Sequence, residues 1–361
     1  MTMAAATRAP FTGPGVWHGP ELEADDGWIW RLDDGEIGEI EAALEGVRGR
    51  PWAALRRDDF PLPTLGHRLA RAAEAIENGR GVVRLRGLPV GRFDEESLRT
   101  ILWGLGTHLG TARYQNVGGE LIGEVRDEVR AFGAVRSAVA LGGDGALPLA
   151  SRARARSNGP LRFHTDRCDA IALLCVRPAR RGGVSRLASA MAVHNAMLAR
   201  RPELCELLYH DYPRSRLGEE VGGEGRWYLL PVFAVHRGHF TTHYSRTFVE
   251  AAQCLPDCPR LSPAQDEALD LHAALCEELC AEVPFEPGDL QIINNHVVYH
   301  ARTAFEDDPE GGCDRLLFRL WLAMPNSRPL PPGHEVLWGS IAPGALRGGV
   351  ALAERAPDRA G

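Results

Sequence analysis

A mainly β fold with helices packed outside it, a barrel or double-sheet jelly roll, is what this sequence predicts. Three observations carry that expectation. Short β-rich runs bounded by turn residues dominate from about residue 80 onward. The helical patterns stand beside these runs instead of alternating with them, as βαβ units would require. No GxGxxG or Walker motif supports a nucleotide-binding sheet. The 361 residues allow about two domains, although a large β barrel can exceed ~200 residues as one. With 44% hydrophobic and 25% charged residues, the composition is that of a folded globular chain.

The elements follow in chain order. Residues 1–75 read as an N-terminal wrapping segment, with one amphipathic stretch from Gly35 to Leu55. A helical pattern starts at Thr64 and runs to about Asn78, where Gly79 closes it. A strand spans Gly81 to Arg86, and Asp94 caps a second helix running towards Gly106. Residues 131–160 are rich in Gly, Ala and Arg without a sustained period, and they run directly into a strong strand, which suggests a lid, with plain disorder the alternative. Strands are expected near Leu161 to Asp166 and Ala170 to Val176, then a helix capped by Ser189 and another opened by Pro202. Two more strands cover Tyr228 to Val235 and His239 to Tyr244. Ser262, Pro263 and Gln265 form a capping box with proline at the first helical position, so a helix runs to about Cys280. The turn Pro287-Gly288-Asp289 launches strands at Leu290 to Asn294 and Val297 to Ala301, and the last covers Arg315 to Leu322. The main domain is expected over 76–326, and 327–361, rich in Pro and Gly, reads as a C-terminal surface tail.

Charge and composition exclude several functions. A net charge of −7 offers no global field for phosphate backbones or anionic lipid, so nucleic acid is not an expected partner. All 41 basic residues are arginine. Without lysine there is no Schiff-base chemistry and no Walker phosphate loop. Apolar runs such as Ala170 to Val176 fall far short of the ~20 residues that span a bilayer. The first 20 residues show no secretory h-region, so a cytoplasmic protein is expected, and an assembly of identical chains is left open. The eight cysteines are expected to be reduced. Cys254/Cys258 with Cys276/Cys280 could form a four-thiolate zinc site, but the second pair is explained equally by helix packing.

The chemistry centres on His164-Thr165-Asp166. On a strand, residues two apart share a face ~6.6 to 6.8 Å apart, so one imidazole and one carboxylate can converge on an ion. With 13 histidines and 48 acidic residues in the chain, such a pair alone says little. A second histidine lies within Asn294-Asn295-His296-Val297-Val298-Tyr299-His300, and Arg315 and Arg319 follow. Two histidines and one carboxylate form the facial triad of non-haem Fe(II) oxygenases. An arginine beyond it suits an acid group of a co-substrate, since its planar fork matches a carboxylate. His236, His239 and His243 would make a separate three-histidine zinc site only if strand alternation did not scatter them.

In this combination the sequence resembles the TauD/TfdA-like, clavaminate synthase-like branch of the Fe(II)/2-oxoglutarate-dependent dioxygenases, over roughly residues 80–325. The matching features are His164-x-Asp166, the turn Gly182-Gly183-Val184-Ser185, the distal His300 and the pair Arg315/Arg319, in the family's order. The resemblance implies a double-stranded β-helix core. It implies His164, Asp166 and His300 as iron ligands, His300 being preferred over His296 by its spacing to the arginines. It further implies Arg315 as partner of the far carboxylate of 2-oxoglutarate and Ser185 as a hydroxyl on that co-substrate. Arg319 would face the substrate or the same co-substrate. The implied reaction consumes Fe(II)-bound 2-oxoglutarate and O2, releases succinate and CO2, and hydroxylates, desaturates or cyclises a small, carboxylate-bearing, amino-acid-like substrate. A carboxylate at 166 argues against halogenation, for which the superfamily uses a small residue there. Tyr114, Gln115, Asn116, His243, Tyr244 and Arg246 are candidates to line the substrate pocket. A non-catalytic metal-binding or regulatory protein on the same barrel, and a zinc hydrolase, are the competing readings; neither requires Arg315.

Overall fold

The computed structural model describes residues 8–127, 157–220, 222–308, 310–312 and 314–352. Two sheets form its centre. The larger has the order Ile29–Arg31, Val82–Arg86, Leu290–Asn294, Ala170–Arg177, Leu316–Ala323 and Thr111–Arg113, with Ile122–Val125 also paired to Leu316–Ala323. All its pairings are antiparallel except that of Ile29–Arg31 with Val82–Arg86. The smaller sheet runs Ala281–Val283, Ser185–Ser189, Val298–Arg302 and Leu161–His164, antiparallel throughout. From Leu161 onward the chain crosses repeatedly between the two sheets, as in a jelly roll.

Period-two alternation decides what each face of the large sheet does. On its outer face Val83, Leu85, Ala172, Leu174, Ile292, Phe318 and Leu320 pack against the helices Leu65–Asn78 and Glu95–Leu109. On its inner face Ile171, Ile293 and Trp321 share a core with Phe163, Leu187, Val298 and Ala301 of the small sheet. Arg315, Leu317, Arg319 and Trp321 therefore belong to one face and look into the space between the sheets.

The expected jelly-roll core with flanking helices is present, and most of its elements lie within a residue or two of the sequence expectation. The Asp94-capped helix runs past Gly106 to Leu109. Its glycines are close-approach positions: a Cβ on Gly104 would stand 2.5 Å from Phe60, and one on Gly106 2.4 Å from Leu320. The run from Tyr228 is broken at Val232 into Trp227–Pro231 and Phe233–His236. The strand bearing His164 ends at that residue, so Asp166 lies beyond it. Of the stretch 131–160 expected to be a lid, residues 131–156 lie outside the described residues.

The surface tail expected after Asn326 is corrected for residues 327–350. Leu330, Leu337 and Trp338 pack with Tyr228 and Leu230, and Arg328, Arg347 and Val350 are buried. Arg347 Nε donates to Asp169 Oδ1 at 2.8 Å, and Arg328 Nε donates to Glu77 at 2.7 Å. Proline and glycine make this segment irregular, while a few buried charges, each with a partner, hold it against the barrel.

Candidate metal and co-substrate site

His164 and His300 face each other across neighbouring strands, directly paired in register, with ring centroids 4.3 Å apart. Asp166 completes the group. His164 Nε2 lies 3.8 Å from Asp166 Oδ1, and His300 Nε2 lies 3.8 Å from Asp166 Oδ2. All three donor atoms fall within 4.8 Å of one another, and no other such His/Cys/Asp/Glu group occurs among the described residues. The two 3.8 Å separations exceed hydrogen-bond length and lie under the ~4.4 Å that two donors, each ~2.2 Å from one ion, can span.

The surrounding groups orient each donor. His164 Nδ1 lies 2.8 Å from the carbonyl of Arg162, an acceptor, so this nitrogen carries the proton and Nε2 keeps its lone pair for the site. Burial, with His164 close by, pushes the His300 imidazolium down to about 3, so its ring is neutral at ordinary pH. Trp321 Nε1 donates to Asp166 Oδ2 at 2.9 Å and fixes the carboxylate rotamer. Burial drives the Asp166 carboxyl up, but Arg319, the two histidines and the Trp321 indole outweigh it and hold it below the usual range. Past the strand end, the Asp166 backbone N–H finds its acceptor in Asn295 Oδ1 at 3.0 Å, and Thr165 N–H donates to Tyr244 O at 2.9 Å. One backbone carbonyl and one side-chain amide thus do what a ladder would have done.

Two cavities meet at this group. One, of about 480 Å³, is walled by Val125, Ile171, Ser185, Arg302, Arg315 and Leu317, with His164 and His300 at its edge. Ser185 Oγ accepts from Gln291 Nε2 at 3.1 Å, and Arg84 in turn donates to Gln291 Oε1. Arg315 is buried, its NH1 reaching only the Val125 carbonyl at 3.4 Å, and burial lowers its guanidinium to about 10, still charged at neutral pH. Arg302 is buried beside it, held by the carbonyls of Ser157 and Gly159, with Nε and NH1 unpartnered. The other cavity, a cleft of about 720 Å³, borders Asp166 and includes Gln115, Asn116, Arg167, Arg216, Glu219 and His243. Arg319 borders both, its Nε donating to Gln115 Oε1 at 2.7 Å and its NH1 3.7 Å from Asp166 Oδ2.

Several sequence expectations are sorted by this geometry. Of the pocket candidates, Gln115, Asn116 and His243 line the cleft, whereas Tyr114, Tyr244 and Arg246 do not. Tyr244 packs against His272 at 4.2 Å, and Arg246 pairs with Asp266 and Asp270 on the surface. His296 stands apart, its Nε2 2.8 Å from Asp169 and its Nδ1 2.8 Å from Thr241 Oγ1. His236 and His239 sit opposite each other on a hairpin away from His243, which approaches Thr165 instead. No thiolate cluster forms among the described cysteines. Trp321, Asn295, Gln291 and Arg302 were not anticipated. Trp321 was within reach, two residues past Arg319 on the same strand face; the others needed contacts from distant segments.

The model of the taurine catabolism dioxygenase TauD, TfdA family matches residues 47–321. FR-33289 synthase of Streptomyces rubellomurinus is 31% identical over 352 residues, covering 94% of this chain and 98% of that protein. A taurine hydroxylase-like protein, SAT17, of Stachybotrys chartarum is 27% identical over 318 residues, covering 84% and 77% respectively. Among solved structures, asparagine oxygenase with Fe(II), 3-hydroxyasparagine and succinate superposes with a TM-score of 0.60 at 19% identity over 82% of this chain and 93% of that one. The non-heme iron oxygenase OrfP with Fe and alpha-ketoglutaric acid gives 0.58 at 16% identity, over 81% and 93%. At these identities the structures show a shared fold.

Proposed function

This chain belongs to the taurine catabolism dioxygenase TauD, TfdA family and is an Fe(II)/2-oxoglutarate-dependent oxygenase; from that premise we propose which residues do the work and on what class of substrate. His164, Asp166 and His300 hold the iron. The observation that carries this is the convergence of one carboxylate and two imidazole nitrogens in a single group. Bound there with 2-oxoglutarate and O2, the iron supplies the oxidising power that breaks an unactivated C–H bond, with release of succinate and CO2.

The chain's own groups bind and orient. Arg315 takes the far carboxylate of 2-oxoglutarate: it is a buried cation in the cavity beside the triad, and although its backbone N–H donates to Asp307, its guanidinium has no carboxylate hydrogen-bonded to it among the described residues. Ser185, already accepting from Gln291, has its own proton free to donate to the same co-substrate. Trp321 and Arg319 hold the Asp166 carboxylate in place while the co-substrate arrives. The apolar walls Val125, Ile171, Leu173 and Leu317 exclude water from that cavity. The cleft bordering Asp166 takes a small acid or amino acid. That reading is supported by its arginines and by asparagine oxygenase and OrfP, whose structures hold hydroxylated asparagine and arginine.

Anaerobic titration of the Fe(II) protein with 2-oxoglutarate tests the assignment. A visible metal-to-ligand charge-transfer band is expected for the wild type and should be absent in Asp166→Ala. A wild-type protein that binds Fe(II) and gives no band, or a folded Asp166→Ala variant that gives a full one, overturns it.

A further inference from the structure

The cleft bordering Asp166 contains more guanidinium than the fold itself uses. Arg319 is engaged by Gln115 and Asp166. Arg216 is only 6% exposed, and one of its nitrogens serves two groups: NH2 donates to Val336 O at 3.0 Å and lies 3.4 Å from Glu224 Oε1. Its Nε and NH1 have no hydrogen-bond partner, and the guanidinium lies 4.9 Å over the ring of Tyr228, another cleft residue. Arg167 makes no ion pair among the described residues, and its buried Nε is also unpartnered. Glu224 meets only one nitrogen of Arg216, and a buried guanidinium whose other donors stay unfilled is costly unless a further anion arrives.

The acidic groups of the cleft do not supply it. Asp166 belongs to the triad, Glu120 accepts from Asn116, and Glu124 is paired with Arg99 and Arg126. Glu219 makes no side-chain hydrogen bond or ion pair among the described residues, and burial raises its carboxyl above the ordinary range despite Arg167 and Arg319.

We propose that Arg167 and Arg216 form an anion subsite that takes a negatively charged head group of the substrate, a carboxylate, sulfonate or phosphonate, and so aims the rest of the molecule at the triad. The proposal rests on the reading of this cleft as the substrate side of the oxygenase, and deepens it. Unfilled donors on two guanidiniums suit an oxyanion with several acceptor oxygens, whereas Arg319 is already engaged by Gln115 and Asp166.

The test uses the metal-free full-length chain, melted in the presence of methylphosphonate, methanesulfonate, acetate or methylammonium at matched ionic strength. At least one of the three anions should raise the melting temperature saturably, and methylammonium should not. The most effective anion identifies the head group. The double variant Arg167→Gln/Arg216→Gln should need at least about tenfold more of that anion, a loss of ~1.4 kcal/mol in binding. Arg246→Gln, whose guanidinium pairs outside the cleft, should respond like the wild type. If the double variant does not fold, Arg167→Lys and Arg216→Lys, which keep charge and lose the fork, should each weaken the response. An unchanged response in those variants, no anion response in the wild type, or a response to methylammonium alone overturns the subsite, the last by moving recognition to Glu219. The 2-oxoglutarate charge-transfer band of the wild type separates the two failures. Its presence without an anion response ends the subsite alone, and its absence ends the oxygenase assignment as well.

Discussion

The cavity holding Arg315 draws nearly every wall residue from strands of the two sheets, with Phe285 an exception, whereas the cleft bordering Asp166 is assembled largely from loops and strand ends. Gln115, Asn116 and Glu120 come from one loop, Asp166 and Arg167 from the turn after the His164 strand, Arg216 and Glu219 from another loop, and Leu337 from the C-terminal segment. Strands hold side chains more tightly than loops do, so the first cavity is suited to one unvarying small molecule. Loops can change length and residue type without disturbing the sheets, so the second is where a fold of this kind can alter what it accepts. His164, Asp166 and His300 stand where the two constructions meet.

The comparison breaks most sharply at the junction. Asp166→Ala should reduce succinate release to background and abolish stabilisation by Fe(II), because it removes the anionic donor of the group at which the two cavities meet. Substantial turnover in a folded variant would mean that the cavities do not share this centre.

Beneath the junction lies Asp169, whose Oδ1 accepts from both His296 Nε2 and Arg347 Nε at 2.8 Å while Oδ2 accepts the Met324 N–H. Asp169→Asn leaves Arg347 buried without its counter-charge and should cost roughly 3 to 5 kcal/mol of stability, measured by urea unfolding. If the loop-built cleft depends on the C-terminal segment, this variant should lose substrate affinity while 2-oxoglutarate affinity holds; equal losses of both would erase the distinction.

Asn295→Ala removes the acceptor of the Asp166 N–H and the donor to Cys168. Groups that orient a metal ligand typically contribute ~10 to 100-fold in metal affinity. A fall of about tenfold in Fe(II) affinity, read by anaerobic titration, is expected with little change in the melting temperature of the metal-free chain.

The smallest effect is also the most selective. Arg315→Lys keeps charge but loses the planar fork, and should raise the apparent 2-oxoglutarate requirement about tenfold, ~1.4 kcal/mol, with the substrate requirement unchanged. A matched rise in both would show that Arg315 serves the two cavities together, as Arg319 does by position.

The strand-built side was the more legible of the two because its residues are near one another in sequence or carry a local period. His164-x-Asp166, His300 and the Arg315/Arg319 spacing were visible as a pattern. The jelly-roll class was readable from short β runs, and the helices from their caps at Asp94, Ser189 and Ser262, since capping is a contact over only a few residues. Short edge strands such as Thr111–Arg113 and Ala281–Val283 carried too few residues to show a period.

What the sequence by itself determined, then, was everything set by alternation, capping and the fixed chemistry of two imidazoles, a carboxylate and a forked cation. Tertiary structure alone decided the rest. It gave His296 to Asp169, turned Arg246 to surface carboxylates, buried the Pro- and Gly-rich C-terminal segment through Arg347, and left Nε of Arg167 and Nε and NH1 of Arg216 without hydrogen-bond partners in one cleft. Each of these depends on which charge meets which across tens to hundreds of residues. Burial sets the cost of a charge without a partner, and burial does not exist until the sheets have closed around it.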